Sequence, residues 1–415
     1  MNDSQGAGFF GGLTEGGPPK PDSHVVSYNP KDSLMNDIAE HTIIGGGIAG
    51  CSLAYFLAKK GIRDIVLLEK DYLASKETGL CPGGIRQQHT NELCARIAKK
   101  SVDEFFGRID EELHPEYPLP FIQSGYMFLA HTENTLESYR ENVRQQNRWG
   151  IPSKMLTLQE IQEIVPQINP DGLLGAAFCG TDGFLEDSHG LTQLLGKRIR
   201  EMGGRILFEE AIDIKVKNEK IIGVQTPERF INTESVINAA GCDAPRVSDW
   251  VGVRLPIEIQ KRRLLYTVRI EERFLEPLVV ALDKGWAGKQ LREGNVYMGY
   301  LREAEESLSD HRYTEKCVEL ALQIMPEKMS ELRILKIQEG HYDTTPDGQP
   351  IIGAVPERKG YTLMTGFSGH GYMLAPAIGM VLSEILIGQR PTLDIEGLRL
   401  ERFRQGQIER ERLVI

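Results

Sequence analysis

Residues 41–70 read HTIIGGGIAGCSLAYFLAKKGIRDIVLLEK, and this stretch decides the fold. The β-branched run at 42–44 predicts a short strand, and 64–68 predict a second, apolar strand. Between them, 51–60 place apolar side chains on one face of a helix, which Gly61 ends. Two such strands pair in parallel through a right-handed crossover. The stretch therefore predicts a βαβ unit.

Three glycines separate the first strand from the helix. Gly45 permits a tight turn, Gly47 lets a pyrophosphate approach the backbone, and Gly50 allows the helix to pack closely on the strand. The helix N-terminus presents unpaired N–H groups that favour an anion. Glu69 ends the second strand, where its carboxylate can accept hydrogen bonds from ribose hydroxyls. The pattern predicts a dinucleotide site, with NAD and FAD as rivals and an incidental glycine-rich turn as the alternative.

A second glycine-rich turn lies far along the chain. Residues 361–365 predict a strand, 366–371 read GFSGHG, and 374–386 predict an apolar helix. The N-terminus of this helix suits the part of a flavin ring that becomes negative on reduction. The second turn favours FAD over NAD, although an ordinary glycine-bounded strand-to-helix junction would look the same.

The composition bounds the class of protein. A chain of 415 residues with 40% hydrophobic and 26% charged residues is that of an ordinary globular enzyme of about two domains. The net charge of −11 argues against a nucleic-acid partner, because phosphates would be repelled. The six cysteines are scattered without metal-ligand spacing, which favours reduced thiols and no metal site.

Two further expectations concern location and the N-terminus. No apolar run approaches the roughly 20 residues that span a bilayer, and no basic stretch precedes an apolar core, so we expect a cytoplasmic protein without a transmembrane segment. Residues 1–38 are rich in Gly, Pro, Asp and Ser and show no regular period. They predict a flexible N-terminal arm, and packing of the arm on another subunit is the alternative.

The chain also resembles a known family. The likeness rests on four motifs: GGGIAG at 45–50, VINAAG at 236–241, TPDGQPIIG at 345–353 and GFSGHGYMLAPAIG at 366–379. Together they resemble the D-amino-acid-oxidase-like superfamily of FAD-dependent oxidoreductases over residues 40–395. A narrower similarity, to the β subunit of heteromeric sarcosine oxidase and of dye-linked L-proline dehydrogenase, rests on GGIRQQ at 83–88, SGYMFLA at 124–130 and the segment 142–166.

The resemblance implies an α/β plus α+β fold. A Rossmann-type FAD-binding domain would be discontinuous, and a substrate domain would be built on a mixed, largely antiparallel sheet. The implied segments are 39–104, 171–252 and 339–395 for the FAD-binding domain, 105–170 and 253–338 for the substrate domain, and 396–415 for a C-terminal tail.

The resemblance also implies site residues. Arg86 matches an arginine that pairs with a substrate carboxylate, which its bidentate guanidinium suits, although an arginine is more often a surface residue. Apart from the resemblance, we expect His370 to tune the flavin or act as a gate, with a structural turn histidine as the alternative. Tyr300, which we also count among the catalytic candidates, Tyr372 and Arg263 are candidates for the pocket wall. Ile212 would contact adenine through its backbone. The implied FAD contacts are Gly45, Gly47, Ile48, Ala49, Gly50, Glu69, Lys70, Gly84, Ile85, Ile212, Ala239, Ala240, Gly241, Gly369, His370, Gly371, Tyr372 and Met373.

Departures from the family pattern narrow these expectations. Gly340 stands where monomeric sarcosine oxidases carry the flavin-bonding cysteine, so we expect non-covalent FAD. Tyr297 replaces a lysine that promotes reaction with oxygen, which favours a dehydrogenase. Met373 replaces a carboxylate-binding lysine, which leaves more of that task to Arg86. Glu186 replaces the histidine that carries covalent FMN, so only non-covalent FMN at a subunit interface stays open.

The resulting hypothesis is the oxidation of an amino acid such as proline, sarcosine or a related N-substituted amino acid. A hydride would pass to flavin N5, and water would hydrolyse the imine. We expect the chain to be the catalytic β subunit of a hetero-oligomer with an α-type subunit and an electron acceptor. The alternatives are a stand-alone amino-acid oxidase that makes peroxide, and a structural or assembly subunit whose flavin does not turn over.

Overall fold

The computed structural model describes residues 37–302, 307–406 and 408–413. The predicted N-terminal arm lies outside these residues except for its last two, Asp37 and Ile38. Asp37 forms ion pairs with Arg205 and Arg229, and Ile38 makes a single β-bridge to Asn232.

The strands of the described residues alternate with helices in the first part of the chain and follow one another directly in the middle. In chain order they are β1 (His41–Ile44), β2 (Ile65–Leu68), β3 (Gly84–Ile85), β4 (Tyr126–Ala130), β5 (Lys154–Leu156), β6 (Gly175–Cys179), β7 (Gly183–Phe184), β8 (Arg205–Leu207), β9 (Asp213–Lys217), β10 (Lys220–Gln225), β11 (Phe230–Asn232), β12 (Val236–Asn238), β13 (Glu258–Thr267), β14 (Leu278–Ala281), β15 (Trp286–Gln290), β16 (Val296–Tyr300), β17 (Ile334–Thr344), β18 (Ile351–Ala354) and β19 (Tyr361–Thr365).

The helices are of very different lengths, and the two longest apolar ones follow the two glycine-rich turns. In chain order they are α1 (Ile48–Lys59), α2 (Glu77–Leu80), α3 (Glu92–Glu104), α4 (Ile109–Leu113), α5 (Glu133–Arg148), α6 (Leu158–Ile164), α7 (Ser188–Glu201), α8 (Ala244–Asp249), α9 (Asp310–Ile324), α10 (Pro326–Ser330), α11 (Gly371–Leu386) and α12 (Glu401–Gln405).

A six-stranded sheet forms the first layer. Its order is β18-β19-β12-β1-β2-β8, and all neighbours are parallel except β18 and β19. Every residue of β1, β2 and β12 is buried, as expected for parallel strands covered on both faces. The predicted Rossmann-type arrangement is confirmed, with β1 at the centre of the sheet.

Both glycine-following helices cover the same face of this sheet. α1 and α11 share one hydrophobic core with α3 and α7. A Cβ added at Gly379 in α11 would lie 2.9 Å from the backbone of Ser52 and Leu53 in α1. Because nothing larger than hydrogen fits there, glycine is what allows the two helices to pack backbone against backbone.

Both of these helices begin earlier than the sequence predicts. α1 starts at Ile48 instead of residue 51, and α11 starts at Gly371 instead of residue 374. The first turn of each helix includes a residue of the glycine-rich turn, Gly50 in α1 and Gly371 in α11, and glycine is a poor helix former that favours turns, so the sequence places each helix start too late. The first N–H groups of each helix, which have no partner within the helix, therefore belong to residues of its glycine-rich turn.

An eight-stranded sheet forms the second large layer, in the order β17-β13-β16-β15-β14-β4-β6-β5. All its pairs are antiparallel except β14 with β4, which confirms the mixed, largely antiparallel sheet. β6 lies within 171–252 of the sequence-predicted FAD segment but belongs to this sheet, because it pairs with β4 and β5. β17 likewise continues past the predicted boundary at 338.

Two small sheets complete the described residues. The strands β9, β10 and β11 form an antiparallel sheet of their own, and β3 pairs with β7. The second pair matters for the site, because β3 leads directly into Arg86 and brings it between the two large sheets.

Candidate active site

A cavity of about 620 Å³ lies between the six-stranded and the eight-stranded sheet. Both predicted glycine-rich turns contribute to its wall, the first at the end of β1 and the second at the end of β19. These two strands are parallel and separated only by β12, so their carboxyl ends meet at one edge of the sheet. Ligands of open α/β sheets bind at this edge.

The first turn is shaped so that only glycine fits. Gly45 has a φ of +115°, and a Cβ there would lie 2.3 Å from the carbonyl oxygen of Ala239. A Cβ on Gly50 would lie 2.0 Å from the carbonyl oxygen of Gly45. Gly50 thus stands behind the cavity wall and allows helix-on-strand packing, as its spacing predicts. The glycines of this turn have no side chains that would cover the backbone toward the cavity, so a pyrophosphate can approach the N-terminus of α1.

Glu69 lies beside this turn. Its carboxylate accepts hydrogen bonds from the N–H of Gly46 at 2.8 Å and of Asp71 at 2.9 Å. The side chain lines the cavity, and each of its oxygens keeps a second lone pair for another donor. Two backbone donors therefore hold the carboxylate where a ribose hydroxyl can reach it. Lys70, at the rim, pairs with Asp243 at 2.6 Å.

Ile212 does not line the cavity. Its N–H donates to the carbonyl oxygen of Gln225 at 2.9 Å, and 43% of the residue is exposed on the outer surface. Residues Glu209, Glu210 and Ala211 form the wall instead. The physical reason is that Ile212 already pairs with the small sheet, so the chain passes the cavity one to three residues earlier.

The second turn is held by a residue that the sequence does not single out. The carboxylate of Asp343 accepts hydrogen bonds from the N–H of Gly366 at 2.7 Å and of Ser368 at 3.2 Å. Ser368 has a φ of +53°, and a Cβ on Gly369 would lie 2.4 Å from the ring of Tyr342. Burial raises the pKa of the Asp343 carboxyl to about 6. Asp343 thus fixes the turn that aims α11 at the cavity.

Thr78 is a second residue that sequence reasoning misses. Its hydroxyl oxygen accepts a hydrogen bond from the N–H of Ile48, the first residue of α1, at 3.1 Å. It also lines the cavity. Nothing in the sequence near Thr78 marks it, because its partner lies 30 residues away.

Most of the predicted site residues meet at this cavity. Those in its wall are Arg86, Tyr300, Gly45, Gly47, Ile48, Ala49, Glu69, Lys70, Gly84, Ala239, Ala240, Gly241, Gly369, His370, Gly371, Tyr372 and Met373. Gly50, Ile85 and Ile212 lie outside it. Ile85 is fully buried in the core that α1 and α11 share, so its side chain supports the site from behind.

Arg86 is completely buried at the cavity wall. Its Nη1 donates to the carbonyl oxygen of Gln88, and its Nη2 donates to His370 Nε2 at 3.0 Å and to the carbonyl oxygen of Leu413 at 2.5 Å. Its Nε has no hydrogen-bond partner in the described part of the chain. A buried cation whose Nε still has its N–H to donate is a candidate anion-binding group.

His370 is held as a neutral acceptor. Burial, with the nearby charges of His89 and Arg86, lowers the pKa of His370 well below its usual value. An arginine can only donate, so His370 Nε2 must accept from Arg86. The His89 ring lies edge-on, with 5.0 Å between the two ring centroids. His370 therefore positions the guanidinium instead of supplying a proton.

The aromatic wall differs in detail from the sequence expectation. Tyr297 and Tyr300 line the cavity from β16. Tyr372 also lines the cavity, but its hydroxyl donates to the carbonyl oxygen of Leu185. Arg263 also lines the cavity, yet its Nη1 donates to Leu308 and Asp310 on the far side of the sheet.

No group of His, Cys, Asp and Glu side chains within the described ranges could hold a metal ion. None of the helices described here combines the length and apolar character needed to cross a membrane.

Comparison with known proteins identifies the family. The family model described as "DAO: FAD dependent oxidoreductase" matches residues 40–385, which include both glycine-rich turns. The chain belongs to this family. FAD is accordingly its cofactor, and the bare turn at Gly45, the oriented Glu69 and the N-terminus of α11 are the features of the structure that fit it.

Two mitochondrial dehydrogenases are about a quarter identical to the chain over the aligned residues. Rat mitochondrial dimethylglycine dehydrogenase is 27% identical over 97% of this chain and 48% of its own length. Human mitochondrial sarcosine dehydrogenase is 26% identical over 94% of this chain and 44% of its own length. The chain thus spans less than half the length of these relatives.

Solved structures share the fold over almost the whole chain. L-proline dehydrogenase from P. horikoshii matches with a TM-score of 0.85 and 30% identity, covering 90% of this chain and 100% of the other. Glycine oxidase from Geobacillus kaustophilus matches with a TM-score of 0.78 and 22% identity, covering 88% and 99%. At 22% identity, the likeness to glycine oxidase shows only that the two proteins share a fold.

The lowered pKa of His370 makes the protein sensitive to acid. Between the folded-state pKa and about 6.5, the unfolded chain takes up a proton that the folded protein does not, so folding stability falls as pH falls below about 6.5. We expect H370Q, which keeps an acceptor for Arg86, to reduce this loss by roughly 1 kcal/mol between pH 7.5 and 5.5. The measurement is the free energy of unfolding in urea at several pH values. Equal pH dependence in H370Q and in the control H189Q, at an exposed histidine, would contradict this expectation.

Proposed function

We propose that this protein oxidises an α-amino acid at the carbon attached to its nitrogen. The C–H bond breaks as a hydride leaves, the nitrogen lone pair forms the C=N bond of an imine, and water then hydrolyses the imine. When bound, FAD supplies the hydride acceptor at N5. The observation that carries the proposal is the buried Arg86 cation in the same cavity wall as the N-terminus of α11.

The names of the relatives support this class of substrate. Proline, sarcosine and dimethylglycine, which appear in the names of three of the matched proteins, are all carboxylates with a nitrogen on the adjacent carbon. The P. horikoshii enzyme is matched over its full length at 30% identity. A common substrate skeleton therefore accompanies the similarity to this chain.

Arg86 would bind the carboxylate. A guanidinium offers two parallel N–H donors to a carboxylate, and these charge-assisted bonds are stronger than neutral ones. Burial lowers the pKa of Arg86 from its usual value, while Glu411 and other nearby groups favour its charge. The cation is thus kept out of water, where its attraction for an incoming anion is least screened.

The remaining wall suits the amine end of the substrate. Tyr126, Tyr297, Leu278 and Ala287 line the cavity and are buried, so they offer an apolar surface. Desolvation on such a surface disfavours an ammonium ion and favours the neutral amine, whose lone pair the reaction needs. The chain then contributes mainly position and electrostatics: Arg86 orients the substrate, and the N-terminus of α11 favours negative charge.

The electron acceptor we propose is a second redox partner instead of oxygen. Tyr297 is buried in the cavity wall, and the lysine opposite it in the sheet register, Lys289, is not part of that wall. The Nζ of Lys289 donates to the carbonyl oxygens of Glu276 and Gln290. The cavity therefore lacks, at this point, a cation that would stabilise superoxide as it forms.

We also propose that the chain acts as a β subunit with an α-type partner that passes electrons on, within a larger oligomer. The support for this proposal is the resemblance of GGIRQQ at 83–88 and SGYMFLA at 124–130 to β subunits of this kind. Glu186 does not line the cavity, and its carboxylate accepts from the N–H of Arg292. A non-covalent FMN would therefore lie between subunits, away from this cavity.

Replacing Arg86 by methionine tests the proposed function. Two charge-assisted hydrogen bonds are lost, so R86M should bind amino-acid carboxylates roughly 100-fold more weakly or worse. The measurement is the rate of anaerobic flavin bleaching by a panel of amino acids that includes proline, sarcosine and glycine. The dependence of this rate on the amino-acid concentration gives the dissociation constant. R263M is the matched control, because Arg263 lines the same cavity but its guanidinium faces Leu308 and Asp310.

The outcomes separate the alternatives. An unchanged dissociation constant in R86M would remove Arg86 from the substrate site. Failure of every amino acid in the panel to bleach the wild-type flavin would overturn the enzymatic proposal and favour a structural flavin.

Introducing a lysine at Tyr297 tests the choice of electron acceptor. A cation at this place should stabilise developing superoxide, so Y297K should increase reoxidation of the reduced enzyme by oxygen by about tenfold or more. Stopped-flow reoxidation measures the rate, with an artificial dye as the comparison acceptor and Y297F as the uncharged control. If the wild type already reacts with oxygen as fast as with the dye, the protein is an oxidase and the proposal is wrong on this point.

A further inference from the structure

The segment of residues 408–413, here called the tail segment, folds back onto the candidate active site. It follows α12 and lies beyond residues 40–385, which the family model matches. The N–H of Glu411 donates to the carbonyl oxygen of Asp347 at 2.8 Å, and Asn91 Nδ2 donates to Glu409 Oε2 at 3.1 Å. Main-chain and side-chain bonds therefore both dock this segment.

Glu411 is the main anchor of the tail segment. Its buried carboxylate accepts hydrogen bonds from the N–H of Thr90 at 2.9 Å and of Asn91 at 3.0 Å, just before α3 begins, and from the Thr90 hydroxyl at 3.0 Å. His89 Nδ1 lies 3.5 Å from the same carboxylate. A carboxylate is favoured at a helix N-terminus, and this one also faces the buried Arg86 charge.

Leu413 reaches the substrate side of the cavity. Its side chain is buried in one cluster with Tyr126, Leu278 and Tyr297, which are themselves cavity-lining residues. Its carbonyl oxygen accepts from Arg86 Nη2 at 2.5 Å. The tail segment thus contacts both the pocket wall and the group assigned to the substrate carboxylate.

This contact limits what Arg86 can offer. A carboxylate binds a guanidinium through two neighbouring N–H groups. In the described residues only Nε lacks a partner, while Nη2 is shared between Leu413 and His370 and Nη1 donates to Gln88. Two-point binding at the Nε and Nη2 edge therefore needs an Nη2 N–H group that Leu413 or His370 now occupies. His370 is held at the start of α11, whereas Leu413 lies in a segment without helix or strand, so Leu413 is the partner that can leave.

We propose that the tail segment is an internal ligand of Arg86 that competes with the substrate carboxylate and withdraws when the substrate binds. The inference rests on the proposed function, because it takes Arg86 as the carboxylate site. Without substrate, the Leu413 carbonyl and the Glu411 charge satisfy a cation that would otherwise be buried unpaired. With substrate, the carboxylate takes over that role.

Competition has a quantitative consequence. The apparent affinity for a carboxylate is reduced by the fraction of molecules in which the tail segment is withdrawn. By linkage, a bound carboxylate must release the segment by the same factor. Loosening the segment should therefore tighten carboxylate binding, whereas a purely structural segment would weaken it or leave it unchanged.

The test uses the FAD-loaded full-length protein and the unreactive probe pyrrole-2-carboxylate. Binding is measured by the change in flavin absorbance. L413G removes the buried side chain that docks the segment, and I408G removes a branched side chain from the same segment where the residue is 47% exposed. We expect L413G to bind the probe about tenfold more tightly than the wild type, as when the segment is withdrawn in only about a tenth of the molecules. I408G should match the wild type.

Two further readouts separate competition from a structural effect. The neutral pyrrole-2-carboxamide does not need the two-point contact, so its affinity should be the same in L413G and wild type. Hydrogen exchange of the amides in 408–413 should rise when pyrrole-2-carboxylate saturates the wild type. E411Q, which weakens the other anchor, should tighten probe binding in the same direction if L413G fails to fold.

The outcomes for the two proposals differ. If the wild type binds the probe and neither L413G nor E411Q binds it more tightly, the competition proposal is overturned while Arg86 remains the carboxylate site. If neither the wild type nor the variants bind the probe, the carboxylate role of Arg86 fails and the competition proposal fails with it.

Discussion

The site depends on the close approach of α1 and α11. At Gly379 the two helices meet backbone to backbone, and a single methyl group would come within 2.9 Å of Ser52 and Leu53. Since α1 follows β1 and α11 follows β19 in one parallel sheet, this contact brings both helix N-termini to the same cavity. Each N-terminus presents unpaired N–H groups, so one cavity gains two places that favour negative charge.

The second constraint is the burial of a cation. Arg86 is enclosed between the two large sheets, and three of the groups around it stabilise its positive charge. His370 accepts a hydrogen bond as a neutral ring, Leu413 provides a carbonyl oxygen, and Glu411 provides the nearest counter-charge. A buried guanidinium is costly unless it is paired, which is why we propose Arg86 as the site for a substrate carboxylate.

The sequence predicted those parts of the site that local spacing encodes. The glycines before α1, Glu69 at the end of β2 and the turn before α11 all stand in fixed register with neighbouring elements, so a pattern reveals them. Asp343, Thr78 and Leu413 were not predicted, because their partners are distant in sequence: Leu413 lies 327 residues from Arg86. Ile212 was placed at the adenine end, yet the chain reaches the cavity at Ala211 and turns away to pair with Gln225. The predicted helix starts were late because Gly50 and Gly371, which favour a turn by propensity, lie inside the first turns of α1 and α11.

The most direct test of this account is an experimental structure of the protein with FAD bound. We expect the pyrophosphate to accept hydrogen bonds from the first N–H groups of α1, and the same FAD molecule to place the C2 oxygen of its ring at the N-terminus of α11. A structure in which the ring lies away from α11, or in which the pyrophosphate is bound elsewhere than the turn at Gly45, would contradict it.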